Sequence, residues 1–293
     1  MYAVNELNSI SNLSIEAVIK SKRETAIRQG KSLVVSVVGA GGKTSLIYHL
    51  ANQLKSEFRI LVTTTTMMFK PDVGLDHTIY QQGLQERALL EKLMLLAPLT
   101  TSNQVTGLFL NEVGAGLDID GSQVIKLKGV DQTLVDQIAK ANLYDLILIE
   151  ADGSRRRPLK AYGTHEPVLP QCSDLVIVVM GLRGLNQPVS EETVHRLDQF
   201  SALTGKKAGD ALHFEDLLTL FSGEESFLKS VPEGCEVVAL FNQADCLTQT
   251  YDFLDLSQKL FRMNSKIKHF LVVSLDKKWT YAAYLGKSDG DQG

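Results

Sequence analysis

The chain has 293 residues, of which 44% are hydrophobic and 22% charged, with 22 glycines and 7 prolines. That composition belongs to a folded globular protein, long enough for two domains or one large α/β domain, and it excludes disordered, collagen-like and repeat chains. Thirty Lys and Arg against 34 Asp and Glu leave a net charge of −4, so no global cationic field exists to hold nucleic acid, and no apolar run approaches the ~18–20 residues of a membrane helix.

In chain order, residues 1–30 read as an amino-terminal helical arm without the basic-then-apolar pattern of a secretory signal. Residues 31–285 read as a single domain, and 286–293, GKSDGDQG, as a flexible polar tail. Six short apolar runs mark strands: Leu33 to Val38, Ile60 to Thr64, Leu146 to Ile149, Leu175 to Met180, Val237 to Phe241 and Phe270 to Val273. They are rich in Val and Ile and do not alternate with polar residues, the pattern of parallel strands covered on both faces. Leu46, Ile47, Leu50, Ala51 and Leu54 form a helical stripe after the first run. Pro188 and Ser190 before Glu191 and Glu192 predict a helix that buries Val194, Leu197 and Phe200. Residues of about 67–140 read as an insertion with a helix at Leu84–Leu96 and a hairpin made by Val105–Leu110 and Gln123–Lys128. Strands alternating with helices predict a three-layer α/β fold with a mainly parallel sheet.

The strongest chemical signal is Gly39-Ala40-Gly41-Gly42-Lys43-Thr44-Ser45, which joins the first strand to its helix. Glycines let backbone N–H groups approach phosphate oxygens, the helix start adds a positive dipole end, Lys43 reaches the outer phosphates, and the Thr44 hydroxyl is placed for Mg²⁺. The expected ligand is ATP or GTP. The loop is shorter than the usual GxxxxGK[ST], because its first glycine lies only four residues before the lysine.

The run LILI ends in Glu150 and Asp152, two apart and so expected on one side of an extended segment. At the carboxyl end of a parallel strand they face the ligand crevice. One carboxylate, with Glu150 and Thr44 the expected metal pair, serves Mg²⁺ and the other orients an attacking water; the sequence does not divide these roles. Arg155, Arg156 and Arg157 follow at once. A solvated basic run and a clamp for a phosphate or anionic cargo both fit them. Asn242 and Asp245 occupy the positions of an NKxD guanine-reading element with Gln243 in place of its lysine; a strand-end turn fits equally. His165, Glu166, His195 and Arg196 lack metal-ligand spacing and read as surface or packing residues. Thr63 to Thr66 close the second strand beside the loop. Three cysteines, Cys172, Cys235 and Cys246, show no CxxC spacing and fit a reducing cytoplasm better than a disulfide framework.

Together GAGGKTS, VTTTTMMF, IEADGSRRRPLKAYGTHEPVLP, VHR and FNQAD resemble the YqeC family of selenium-dependent hydroxylase accessory proteins. The resemblance implies a P-loop NTPase-like fold and a cytoplasmic accessory role in maturation of selenium-dependent molybdenum hydroxylases, with the client enzyme or its cofactor as partner. Two positions depart from the pattern: Met67 stands where the threonine run usually continues into histidine, and Gln243 where the guanine-reading lysine usually stands. The GxxGKT spacing from Gly39 to Thr44 also resembles the phosphate loop of peptidoglycan-precursor amide ligases, which implies an ATP-dependent ligase or phosphotransferase for a small anionic substrate as the alternative.

Overall fold

The computed structural model describes residues 13–71, 74–96, 103–117, 123–222 and 226–286. Residues 1–12 of the expected arm, and the expected tail apart from Gly286, lie outside them. The first half of the chain forms α1 (Ile15–Arg28), β1 (Leu33–Gly39), α2 (Lys43–Leu54), β2 (Ile60–Thr64), β3 (Met67–Phe69), β4 (His77–Tyr80), α3 (Glu86–Leu96), β5 (Val105–Phe109), β6 (Asn111–Leu117), β7 (Gln123–Lys128), α4 (Gln132–Lys140) and β8 (Leu146–Glu150). There follow β9 (Leu159–Lys160), β10 (Leu175–Gly181), β11 (Val194–His195), α5 (Leu197–Thr204), α6 (Phe214–Thr219), β12 (Glu236–Asn242), α7 (Phe253–Met263), β13 (Ile267–Ser274) and β14 (Trp279–Leu285).

All six apolar runs are strands of one nine-stranded sheet in the order β14-β13-β12-β10-β1-β8-β2-β5-β4, parallel throughout except for β14. Every residue of β1, β2, β8 and β10 is buried, as continuous Val/Ile/Leu runs require when both faces are covered. Alternation divides the core: Val34 and Val38 belong to the apolar layer that contains buried residues of α3, α4, α5, α6 and α7, whereas Val35 and Val37 belong to the layer that contains those of α1 and α2. The three-layer α/β architecture follows.

Helix α1 is fixed to the core by Ile15, Val18, Ile19 and Ala26 and by Arg23, whose guanidinium donates to Asp145 at 2.7 Å. The stretch expected as an insertion divides instead between two sheets. Strands β4 and β5 extend the main sheet, and β3, β7 and β6 form a small antiparallel sheet beside it. The helix expected from Pro188 begins only at Leu197. Thr193 donates to the Pro188 carbonyl and accepts from the Ser190 amide, closing a turn that releases Val194 and His195 to pair with β9.

The chain goes from β1 to β2 on one side and from β8 across β1 to β10 on the other, so the loop leaving β1 lies where the strand connections change direction. Such a switch point leaves a crevice at the carboxyl ends of the strands.

Candidate nucleotide site

The turn after β1 is held open by backbone geometry. Gly39 and Gly41 have φ of +96° and +81°, and a Cβ on Gly41 would stand 2.4 Å from the Gly181 Cα, so side chains are refused there twice over. Ala40 N–H donates to the Val179 carbonyl at 2.8 Å, Gly39 N–H to Asp152 Oδ2 at 2.9 Å, and Asn242 Nδ2 to the Gly41 carbonyl at 2.8 Å. Helix α2 then starts at Lys43 with no side-chain cap from Gly42, which leaves first-turn N–H groups for an anion.

Lys43 is enclosed, with 3% of its side chain exposed. Its ammonium donates to the Gly39 carbonyl at 2.7 Å and lies 3.1 Å from Asp152 Oδ1 and 3.8 Å from Glu150 Oε1. The Thr44 hydroxyl donates to Glu150 Oε2 at 2.6 Å. Burial pushes the Glu150 carboxyl above its usual range, while Lys43 and Thr44 pull it back. A hydroxyl and a carboxylate meeting at one point are hard oxygen donors suited to Mg²⁺, which takes its remaining ligands from phosphates and water. Among the described residues no group of three or more His, Cys, Asp and Glu converges as a metal centre of its own.

Glu150 and Asp152 do not share the crevice as their spacing predicts. Glu150 lines the cavity. The strand ends there, and the fully buried Asp152 turns beneath the loop between Lys43 and Lys160. Asp152 therefore braces the loop through the Gly39 amide and Lys43 and is not among the residues that line the cavity.

Lys160 is the residue that sequence reasoning missed, because a lysine two positions after RRRP reads as surface. Its fully buried ammonium donates to the Gly153 carbonyl at 2.6 Å and pairs with Asp152 at 3.1 Å and Glu166 at 3.0 Å. Arg196 donates to the same Glu166 oxygen at 2.8 Å. Burial alone would raise the Glu166 carboxyl, but Arg196 and Lys160 overcome it and hold the group at about 2. His195 is lowered to about 4 by burial and by the Lys160 and Arg196 cations. Glu166, His195 and Arg196, read from sequence as surface or packing residues, are thus tied to the site, and Glu166 and His195 line its cavity. His165 is exposed.

The cavity is about 560 Å³. Its floor is Gly41 to Ser45 with Glu150, and the Arg155–Arg157 loop forms one side. Of the threonine run only Thr66 lines it; Thr63, Thr64 and Thr65 donate to the carbonyls of Leu108, Glu150 and Val168. Gln243 lines it too. Asp245 stands apart, exposed, its Oδ1 accepting from the Ser274 hydroxyl at 2.6 Å.

These features define a three-layer α/β protein in which a glycine-rich loop at the carboxyl edge of the sheet opens both a helix and a cationic cavity. A family model described as YqeC protein matches residues 35–198. The chain is also 37% identical over 216 residues, 73% of its own length and 77% of the relative's, to the uncharacterized protein YqeC of Escherichia coli (strain K12). The chain belongs to the YqeC family. The matched span includes the loop, Glu150 to Arg157, Lys160, Glu166 and His195, and stops before Asn242 and Asp245.

Proposed function

We propose that the protein binds a nucleoside triphosphate with Mg²⁺ on the Gly39–Ser45 loop, hydrolyses it, and acts as an accessory protein in maturing selenium-dependent molybdenum hydroxylases. The observation that carries the nucleotide reading is the convergence of Lys43, Thr44 and Glu150 at the uncapped start of α2. On binding, terminal phosphate oxygens replace the Gly39 carbonyl as the partner of Lys43, and the first-turn N–H groups of α2 receive the phosphate charge. Thr44 and Glu150 hold Mg²⁺, whose chemistry there is to neutralise phosphate charge and to order the triphosphate. Asp152 and Lys160 keep Lys43 and the loop in register and touch no ligand. The YqeC-type sequence blocks support the client class, a molybdenum hydroxylase or its cofactor.

Calorimetric titration of the whole chain with Mg·ATP and Mg·GTP tests the first step. Binding of one nucleotide per chain, followed by phosphate release, is expected; no binding of either removes the reading. For the accessory role, selenium-dependent hydroxylase activity is compared in cells with and without the protein. Equal activity in both removes that role while leaving the nucleotide site in place.

A further inference from the structure

The small antiparallel sheet supplies a wall of the cavity that the nucleotide reading does not use. Pairing of β3 with β7 sets Met67 opposite Lys128 and Phe69 opposite Lys126. Because side chains alternate across a strand, these four share one face, and all four line the cavity. Met68 and Leu127, on the other face, are each 1% exposed and join the core. The sheet is therefore fixed by its back and presents two lysines forward.

The Arg155–Arg157 loop meets this wall. Arg155 and Arg156 have φ of +50° and +62°, two consecutive residues in the left-handed region that L side chains disfavour and that a solvated basic run does not require. The Arg156 guanidinium lies 4.2 Å from the centroid of the Phe69 ring, and the Lys126 ammonium lies 5.1 Å from the same ring. One aromatic side chain thus pins cations from two separate elements at the cavity. With Lys128, Arg155, Arg157 and Arg183 they make six of the seven Lys and Arg residues that line the cavity, Lys43 being the seventh, against two acids, Glu150 and Glu166, which pair with Lys43 and Thr44 and with Lys160 and Arg196. A nucleotide on the loop has Lys43, Mg²⁺ and the start of α2 to meet its charge, so the wall is in excess of what that ligand needs.

We propose that the wall formed by Lys126, Lys128, Phe69 and Arg155–Arg157 binds a second, phosphate-bearing small molecule beside the terminal phosphate of the nucleotide. This rests on the nucleotide reading for its first ligand. Planar guanidiniums fork onto phosphate oxygens, and the lysines add point charges from the opposite element. The loop and the wall share one solvent-open cavity of about 560 Å³, within the range of small-molecule sites.

Inorganic pyrophosphate is the probe, titrated calorimetrically into the full chain with and without a saturating non-hydrolysable Mg·nucleotide. The wild type is expected to show two binding events, of which the nucleotide abolishes one. Lys126→Gln with Lys128→Gln should weaken the surviving event tenfold or more, and Phe69→Leu, which removes only the pinning ring, should weaken it severalfold. A single event in the wild type, abolished by nucleotide, overturns the second site and assigns the wall to the nucleotide's own phosphates. A second event of equal strength in the wild type and the double variant overturns it as well. Failure of the nucleotide to displace either event counts against the nucleotide reading alone.

Discussion

Asn242 donates its side-chain amide to the carbonyl of Gly41 at 2.8 Å, across 201 positions of chain. Its carbonyl oxygen accepts from the Leu275 amide at 3.1 Å. The end of β12 therefore clasps the glycine-rich loop to the turn after β13, which gives Asn242 a structural task. Replacing Asn242 with Ala should cost about 1–2 kcal/mol of stability and weaken ATP and GTP by the same factor. A change confined to one nucleotide would instead assign the residue to the base.

Lys43→Ala removes the cation enclosed between Glu150 and Asp152. A charge-assisted contact is worth about 1.5–3 kcal/mol, so nucleotide affinity should fall tenfold or more. The melting temperature should fall as well, because two buried carboxylates lose a partner. Titration and thermal melting on the same preparation separate the effects; unchanged affinity would falsify the phosphate-loop assignment.

Nucleotide preference tests the expected role of Asp245, which stands outside the cavity lining. With Oδ1 occupied by Ser274, its carboxylate still presents acceptors for guanine N–H groups, which adenine does not offer. GTP is expected to bind severalfold more tightly than ATP, and Asp245→Asn to narrow the gap. Equal affinities for the two nucleotides in the wild type would make the NQAD segment a turn.

Lys160→Met keeps the length of the buried stem and deletes the ammonium. Asp152 and Glu166 lose their shared partner, a change expected to cost about 3 kcal/mol or more in urea unfolding. Wild-type stability in this variant would show that the pair relaxes into solvent.

Acidification probes the two lowered histidines. His195 and His269 are both held near 4 against an ordinary 6.5, chiefly by burial. Between those values the unfolded chain binds the protons that the folded chain refuses, so stability is full above about 6.5 and declines as pH falls toward about 4. His195→Gln and His269→Gln should each flatten this slope in urea midpoints taken across the window. Glu166 acts lower: its folded value of about 2 against 4.5 contributes stability that is lost only as pH falls from about 4.5 toward 2.

The interior of the sheet is legible because strands covered on both faces cannot alternate, and an apolar run as short as LVIVVM, rich in Val and Ile, suits a buried strand better than a helix. The periphery is not. Strand β14 carries exposed Trp279 and Tyr281 on a sheet edge, where no burial pattern forms. Strands β9 and β11 are two residues each and exist only because the Ser190–Thr193 turn delivers one to the other. In the candidate site, the passage from β1 through GAGGKTS into α2 can be read because it is local. The positions of Lys160, Glu166 and Arg196 depend on contacts across loops, and sequence spacing carries no trace of such contacts. Asp152 misleads for the same reason: the two-residue period holds within β8 and ends with it.

Trp279 is the chain's one tryptophan, and it pairs across β13 and β14 with Ser274, the residue whose hydroxyl holds Asp245. It is 59% exposed and is absent from the cavity lining. The molecule thus carries a built-in optical label outside the cavity, beside Asp245. A purine settling beside Asp245 is expected to disturb the indole emission and a ligand seated against Phe69 to leave it unaltered, so a fluorescence trace would distinguish the two locations without any added dye.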